Sequence, residues 1–294
     1  MPLSMRQEDF LIPRVAAIHD LCGYGNCSLG VAMPVLSAAG IEVCSIPTSI
    51  LAAHTAFPYY SFTDMTPQLE EYLEVWDKIE IDLAGAYSGF LGSAEQIAIF
   101  ARLFDRHPEW KLVVDPCMAD HGKRYKTYSD EMCAKMSELC QRADVILPNL
   151  TEAAILLGES YRGQKYSLAE AEAMVDRLLE IGPETVILKG IERGDGKIVN
   201  AIKGQKQAYQ ECAHNLLPYK LHGTGDLFAS IVSAAYFRGV PLAVAAQLAG
   251  ELLVRAMSIS ARQAGYELRG VSYEPLLTEI GSRIDQAACE ASYS

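Results

Sequence analysis

The stretch with the most chemistry in it is His222-Gly223-Thr224-Gly225-Asp226, which runs directly into the apolar segment 227–237. Glycines on either side of a threonine let the backbone turn sharply. A helix that starts there leaves several N–H groups without intrahelical partners, at the positive end of its dipole. Such an end favours an anion, a phosphate above all. Asp226 would be repelled by that anion, so its position suits a base or the holder of a cation. The plainer alternative is a glycine-rich helix start with Asp226 as a first-turn dipole partner.

Other candidates stand where apolar runs end: Asp20 after 15–18, Asp115 after 112–114, Asn149 and Glu152 after 145–147, and Lys189 after 186–188. In open parallel sheets, ligands bind beyond the carboxyl ends of the strands. A buried strand end gains nothing from an unpaired carboxylate, whose desolvation costs several kcal/mol. Asp115 and Glu152 could share a hard cation such as Mg²⁺, held through water, and Lys189 offers a point charge to a phosphate. This set suits phosphoryl transfer, which depends on positioning and charge neutralisation. The G-x-x-x-x-G-K-[ST] pattern does not occur, which excludes a P-loop route. Gly23-x-Gly25-x-x-Ser28 with Glu42 approximates a dinucleotide fingerprint, but its third position is Ser and its first glycine comes late.

The elements that must position these groups alternate in type. After the first strand come a helix over 28–39 and a strand over 41–46 stopped by Pro47. An irregular, aromatic-rich stretch covers 48–62, then a helix 66–79 and a strand 81–87. Ser93 caps a helix to about 107, with Gln96 completing a capping box. Strands follow at 111–114, 144–147 and 184–190, with a polar loop at 118–123 and helices at 129–140 and 167–181. A hairpin over 196–212, the helix after Asp226, a helix from Pro241 to about 264 and a last helix 273–281 complete the chain. The pattern predicts one α/β domain over 1–294: a three-layer α/β/α sandwich with a mostly parallel central sheet, and terminal tails at about 1–12 and 285–294.

Lys and Arg number 25 against 37 Asp and Glu, a net charge of −12, which argues against nucleic acid or an anionic membrane as partner. Residues 1–10 carry Arg6, Glu8 and Asp9 and no apolar run, and no stretch reaches ~18 uninterrupted apolar residues. The eight cysteines include no C-x-x-C pair, so free thiols in a reducing cytoplasm are expected. Cys22 and Cys27, close to Asp20, are read as packing thiols with contact to a substrate left open.

Gly223-Thr224-Gly225-Asp226 resembles the anion-hole signature of the ribokinase-like superfamily, and the resemblance extends over nearly the whole chain. Within it, the run Ser88 to Gln96, Pro148-Asn149-Leu150-Thr151-Glu152, the His54-Thr55 pair and Tyr266-Glu267-Leu268 resemble segments typical of pyridoxal kinases. The resemblance implies transfer of the ATP γ-phosphate to the hydroxymethyl of pyridoxal, pyridoxine or pyridoxamine by a homodimer. It implies Asp226 as base and Gly223, Thr224 and Gly225 as donors to the transferring group. Asp115, Leu147, Asn149, Glu152, Lys189 and His222 would serve the nucleotide, with Asp115 and Glu152 organising Mg²⁺. Asp20, His54, Thr55 and Phe90 would hold the ring. Two departures bear on the substrate: many pyridoxal kinases carry Ser where Asp20 stands, as the related hydroxymethylpyrimidine kinases carry Asp, and Phe90 replaces a frequent Tyr. The alternatives are therefore a hydroxymethylpyrimidine or other small-molecule kinase, and a non-catalytic nucleotide- or pyridoxal-binding protein.

Overall fold

The structure, a computed structural model, describes residues 12–293. Its strands are β1 (Arg14–Cys22), β2 (Glu42–Leu51), β3 (Thr63–Asp64), β4 (Gly85–Ser88), β5 (Lys111–Val114), β6 (Ala119–Asp120), β7 (Lys123–Arg124), β8 (Val145–Ile146), β9 (Thr185–Glu192), β10 (Lys197–Gly204) and β11 (Gln207–Asn215). Its helices are α1 (Leu29–Ala38), α2 (Thr66–Lys78), α3 (Ala94–Arg106), α4 (Asp130–Cys140), α5 (Leu150–Leu156), α6 (Leu168–Leu179), α7 (Thr224–Phe237), α8 (Leu242–Ser260), α9 (Tyr266–Arg269) and α10 (Leu277–Ser292).

Nine strands form one sheet in the order β11-β10-β9-β8-β5-β4-β1-β2-β3. The run from β9 to β2 is parallel, and β3, β10 and β11 join antiparallel. Side chains alternate across a strand, and here the alternation divides the core in two. Ala16, Ile18, Leu112, Val114, Ile146, Val186 and Leu188 pack with α2 to α6 on one face. Val15, Tyr87, Val113, Val145 and Ile187 pack with α1, α7, α8 and α10 on the other. Strands buried on both faces read as continuous apolar runs, as they do here. The expected α/β sandwich, with helices on both sides of a mostly parallel sheet, is the fold observed.

Several boundaries differ from the expectation. β2 runs through Pro47 and on to Leu51, because its outer flank carries only the short β3 at Ser49 and Ile50, and an edge position tolerates a missing N–H. β1 continues past Ile18, so Asp20 belongs to a strand; Leu21 and Cys22 pair with Ile50 and Leu51 after a register shift. The polar loop 118–123 contains the small hairpin β6–β7. Gln96 does not close a reciprocal box: it accepts from the Gly92 N–H at 2.7 Å and donates to the Thr48 carbonyl at 2.7 Å.

The stretch 285–294 is not a tail as far as Ser292, since α10 continues through it. Asp285 pairs with Arg238 at 2.8 Å, and Ala287 and Ala288 pack against the second core. The tail expected at 1–12 lies outside the described residues except for Ile12, which is exposed. α8 is long and apolar enough to cross a membrane by length and hydropathy, yet Ala245, Leu248, Ala249, Leu252 and Ala256 lie in the second core. Its Glu251 and Arg255 pair with Arg283 and Glu279 of α10.

α10 docks on α1 by close approach: a Cβ on Gly281 would overlap the Ala38 carbonyl. Gly281→Ala is therefore expected to lower stability by about 1–3 kcal/mol, the usual cost of overpacking, measured as a shift in the urea midpoint. An unchanged midpoint would mean that the two helices separate freely.

Candidate active site

The turn before α7 forms because Gly223 adopts φ 76°, a left-handed conformation, and because any Cβ there would collide with the Asn26 carbonyl. The first helical bond runs from the Leu227 N–H to the Gly223 carbonyl at 2.9 Å. The N–H groups of Thr224, Gly225 and Asp226 thus precede the helical ladder and are available to an acceptor. Gly223 is the hinge of this turn, and its own N–H, one of the expected donors, likewise precedes the helical ladder. The Thr224 hydroxyl turns back onto the Leu221 carbonyl at 3.3 Å.

Gly223, Thr224, Gly225 and Asp226 line a cleft of about 640 Å³ together with Asp115, Asn149, Glu152, Lys189 and His222. The parallel strands deliver this set, since Asp115 follows β5, Asn149 follows β8 and Lys189 lies in β9, all toward the same edge. The Lys189 ammonium bonds both Asp115 oxygens, at 2.9 and 2.8 Å, and both side chains are nearly buried. Burial works against the charged lysine, but Asp115 and Glu152 outweigh it and hold its pKa above the ordinary value. Lys189, expected to offer a point charge to a phosphate, is paired with Asp115 here.

Asn149 and Glu152 are committed locally. The Asn149 side chain caps α5 by accepting from the Thr151 and Glu152 N–H groups at 2.8 and 3.0 Å, and donates to the Ala119 carbonyl at 2.8 Å. Glu152 closes the capping box on the Asn149 N–H at 2.8 Å and accepts from the Met118 N–H at 3.0 Å. Burial, with Asp115 close by, still pushes the Glu152 carboxyl up to about 8.

Asp226 is the base candidate. Burial raises its pKa to about 7; Asp115 and Asp20 push the same way, while the Ser28 N–H and Lys189 pull it down. A carboxyl poised near neutrality can accept a proton without being permanently ionised.

Asp20, His54, Thr55 and Phe90, expected around a ring, do not line the cleft. Asp20 is buried in β1, held by the Ser28 hydroxyl and the Cys22 thiol, and its pKa is raised by burial. His54 has both ring nitrogens engaged: Nδ1 accepts from the Ala56 N–H at 3.2 Å and Nε2 reaches the Leu268 carbonyl at 2.5 Å. That leaves only its ring face for a ligand. The ring stands 4.9 Å from that of His222, which joins the two regions. Thr55 is exposed, and Phe90 meets Tyr128 edge-on at 6.1 Å. Leu147 is fully buried, so its side chain cannot touch a nucleotide.

The sequence reading missed the Ser28 N–H on Asp226 and missed Asn200, whose Oδ1 accepts from the Gly190 N–H at 3.2 Å in the cleft wall. Ser28 was read as part of a helix; its φ of 51° carries the turn instead, and neither signal is local in the sequence.

A parallel sheet whose strand ends converge on a glycine turn, first-turn N–H donors and a near-neutral carboxylate defines a ribokinase-like small-molecule kinase. The phosphomethylpyrimidine kinase family model matches residues 34–270, and the chain belongs to that family. Pyridoxal kinase PdxY of Deinococcus radiodurans is 26% identical over 241 residues, 77% of this chain and 80% of that protein. Hydroxymethylpyrimidine/phosphomethylpyrimidine kinase of Rhizobium meliloti is 25% identical over 242 residues, 81% of this chain and 88% of that protein. The crystal structure of pyridoxal kinase from Lactobacillus plantarum superposes with a TM-score of 0.85 at 28% identity, covering 93% of this chain and 98% of that one.

Proposed function

We propose that this kinase transfers the γ-phosphate of ATP to the hydroxymethyl group of pyridoxal, pyridoxine or pyridoxamine. The observation that carries the chemistry is Asp226, with its pKa near 7, in the first turn of α7 beside three N–H groups open to an acceptor. Asp226 takes the alcohol proton as the oxygen attacks, and the N–H groups of Thr224, Gly225 and Asp226 stabilise the charge spreading over the transferred group. Lys189 adds positive charge at the cleft and is kept protonated by Asp115 and Glu152. His222, at the cleft wall, takes the nucleotide side.

The donor set suits Mg²⁺. Asp115 and Glu152 are hard oxygen ligands whose hydrogen bonds leave lone pairs over, and their burial favours holding the ion through water. Bound there, Mg²⁺ would neutralise phosphate charge. On the acceptor side, Asp20 is near enough to raise the Asp226 pKa and would bond a ring nitrogen or hydroxyl, while the His54 ring face, Thr55 and Phe90 would border the ring.

The pyridoxal kinase relatives support the B6 reading. Asp20 and the family match support a second one, a hydroxymethylpyrimidine acceptor. Direct detection of phosphorylated product from ATP, Mg²⁺ and each alcohol separates them. Turnover is expected with at least one B6 vitamer at a kcat/KM tenfold or more above that for hydroxymethylpyrimidine. The reverse order would install the second reading. Tight binding of ATP and pyridoxal with no product from any alcohol would make the protein a non-catalytic binder.

A further inference from the structure

Beside Asp226 lies a group of side chains of metal-ligating type, of which only Asp20 enters the proposed transfer and the two cysteines do not. One carboxylate oxygen of Asp20 and the sulfurs of Cys22 and Cys27 all lie within 4.8 Å of one another. Asp20 and Cys22 are two apart on β1 and so share a face, with the Cys22 thiol on Asp20 Oδ2 at 3.4 Å. Cys27 returns to them because the chain reverses through Gly25 at φ 107°. The reversal is fixed: the Gly23 N–H bonds Leu51 at 2.8 Å, the Asn26 N–H bonds Arg269 at 2.9 Å, and the Asn26 side chain bonds the Val271 carbonyl at 2.9 Å. The cluster is therefore held in place by the fold.

We propose that Asp20, Cys22 and Cys27 form a binding site for a borderline-soft divalent cation of the zinc class, with its fourth position open. Two sulfurs and one oxygen are a zinc donor set, unlike the all-oxygen set that suits Mg²⁺. Ligand atoms ~2.3 Å from a tetrahedral centre stand roughly 3.8 Å apart; here Cys22 Sγ and Asp20 Oδ2 are 3.4 Å apart and all three ligand atoms lie within 4.8 Å of one another. The surroundings favour a cation, because the carboxylate of Asp226 also faces Cys27. On binding, the two thiols lose their protons to solvent and the sulfurs donate to the metal, with no change of oxidation state. The site stands on its geometry. Its consequence rests on the proposed function: an occupied site ties up Asp20 and competes with the acceptor alcohol.

The test uses the full chain, reduced and freed of metal, with Co²⁺ as a spectroscopic probe and Zn²⁺ as competitor. One equivalent of Co²⁺ is expected to bind with a thiolate charge-transfer band and the intense visible bands of tetrahedral cobalt, and Zn²⁺ should bleach both. Cys22→Ser and Cys27→Ser should each weaken binding at least tenfold, and Cys289→Ser, at an exposed thiol far along the chain, should not. Should either serine variant fail to fold, alkylation of the native protein decides: Zn²⁺ should slow labelling of Cys27 at least tenfold. Unchanged labelling, a cobalt spectrum without the thiolate band, or a Cys22–Cys27 disulfide that persists in excess reductant would each overturn the site. In turnover, micromolar Zn²⁺ should raise the KM for the acceptor in the native enzyme and not in Cys27→Ser. Metal binding with no such effect would leave the site standing and overturn the assignment of Asp20 to the acceptor.

Discussion

Replacing Asp226 with asparagine is expected to lower kcat by about 10²–10⁴-fold, the range for losing a general base, while ATP still binds. Asparagine keeps the size and the first-turn position of the side chain but cannot accept the proton of the attacking alcohol. In the native enzyme, the raised pKa of about 7 makes kcat/KM climb with pH below neutrality and level off above it. The reason is that only the ionised carboxylate is a base, and each pH unit below the pKa removes about nine-tenths of it. The asparagine variant should lose that limb along with its rate. Stability moves the other way. A carboxyl whose folded pKa exceeds its unfolded one costs stability as pH rises from the unfolded value through about 7, because the unfolded chain releases the proton first. Asp226→Asn removes the penalty, so the variant should melt a few degrees higher than the native protein at pH 8, and by less at pH 5. A slow enzyme with the native pH limb would remove Asp226 from the base role, as would undiminished kcat.

How much of this was legible in the sequence depends on how local each cause is. The turn at Gly223 is written in adjacent residues, since two glycines before an apolar helical run have few uses, and Asp226 followed from its place in the first turn. The sheet was legible because strands covered on both faces are apolar throughout. Pro148 to Glu152 was legible as a special segment, yet its local use was not. The same asparagine and glutamate that suggest ligands also write a capping box, and in the fold they cap α5. β1 seemed to end before Asp20 because polar residues normally mark an exit from a sheet. Here the neighbouring strand β2 continues to Leu51 and carries the polar end with it. Cys22 and Cys27 read as packing thiols because their meeting depends on a reversal through Gly25 that is pinned by Leu51, Arg269 and Val271, all far along the chain. The Lys189–Asp115 pair joins residues 74 apart, and only the register of β5, β8 and β9 brings them together.

Lys189→Met should be the most destabilising single change at the site, by about 3–5 kcal/mol, because it leaves Asp115 ionised and unpaired in a nearly buried position. The loss should be visible as a lower urea midpoint with an unchanged slope. It should also depend on pH in a definite sense. With the ammonium gone, only hydrogen bonds from Cys117, Asn149 and Met118 oppose the burial and mutual repulsion of Asp115 and Glu152, so both hold protons to higher pH in the folded state. Groups raised by folding favour it at low pH and oppose it as pH rises, so the variant should be closest to native stability near pH 5 and furthest from it near pH 8. Adding Asp115→Asn to Lys189→Met should restore part of the stability, since it replaces an orphaned charge with a neutral amide, and the positive coupling can be read from a double-mutant cycle. The double variant should nevertheless stay slow, because both the cation proposed to face the phosphates and a carboxylate proposed to organise Mg²⁺ are absent. Stability and activity thereby separate. If restored stability brought restored turnover, the pair would be a structural strut between β5 and β9. If turnover stays low in a stable double variant, the strands hold Lys189 and Asp115 together for the phosphate chemistry.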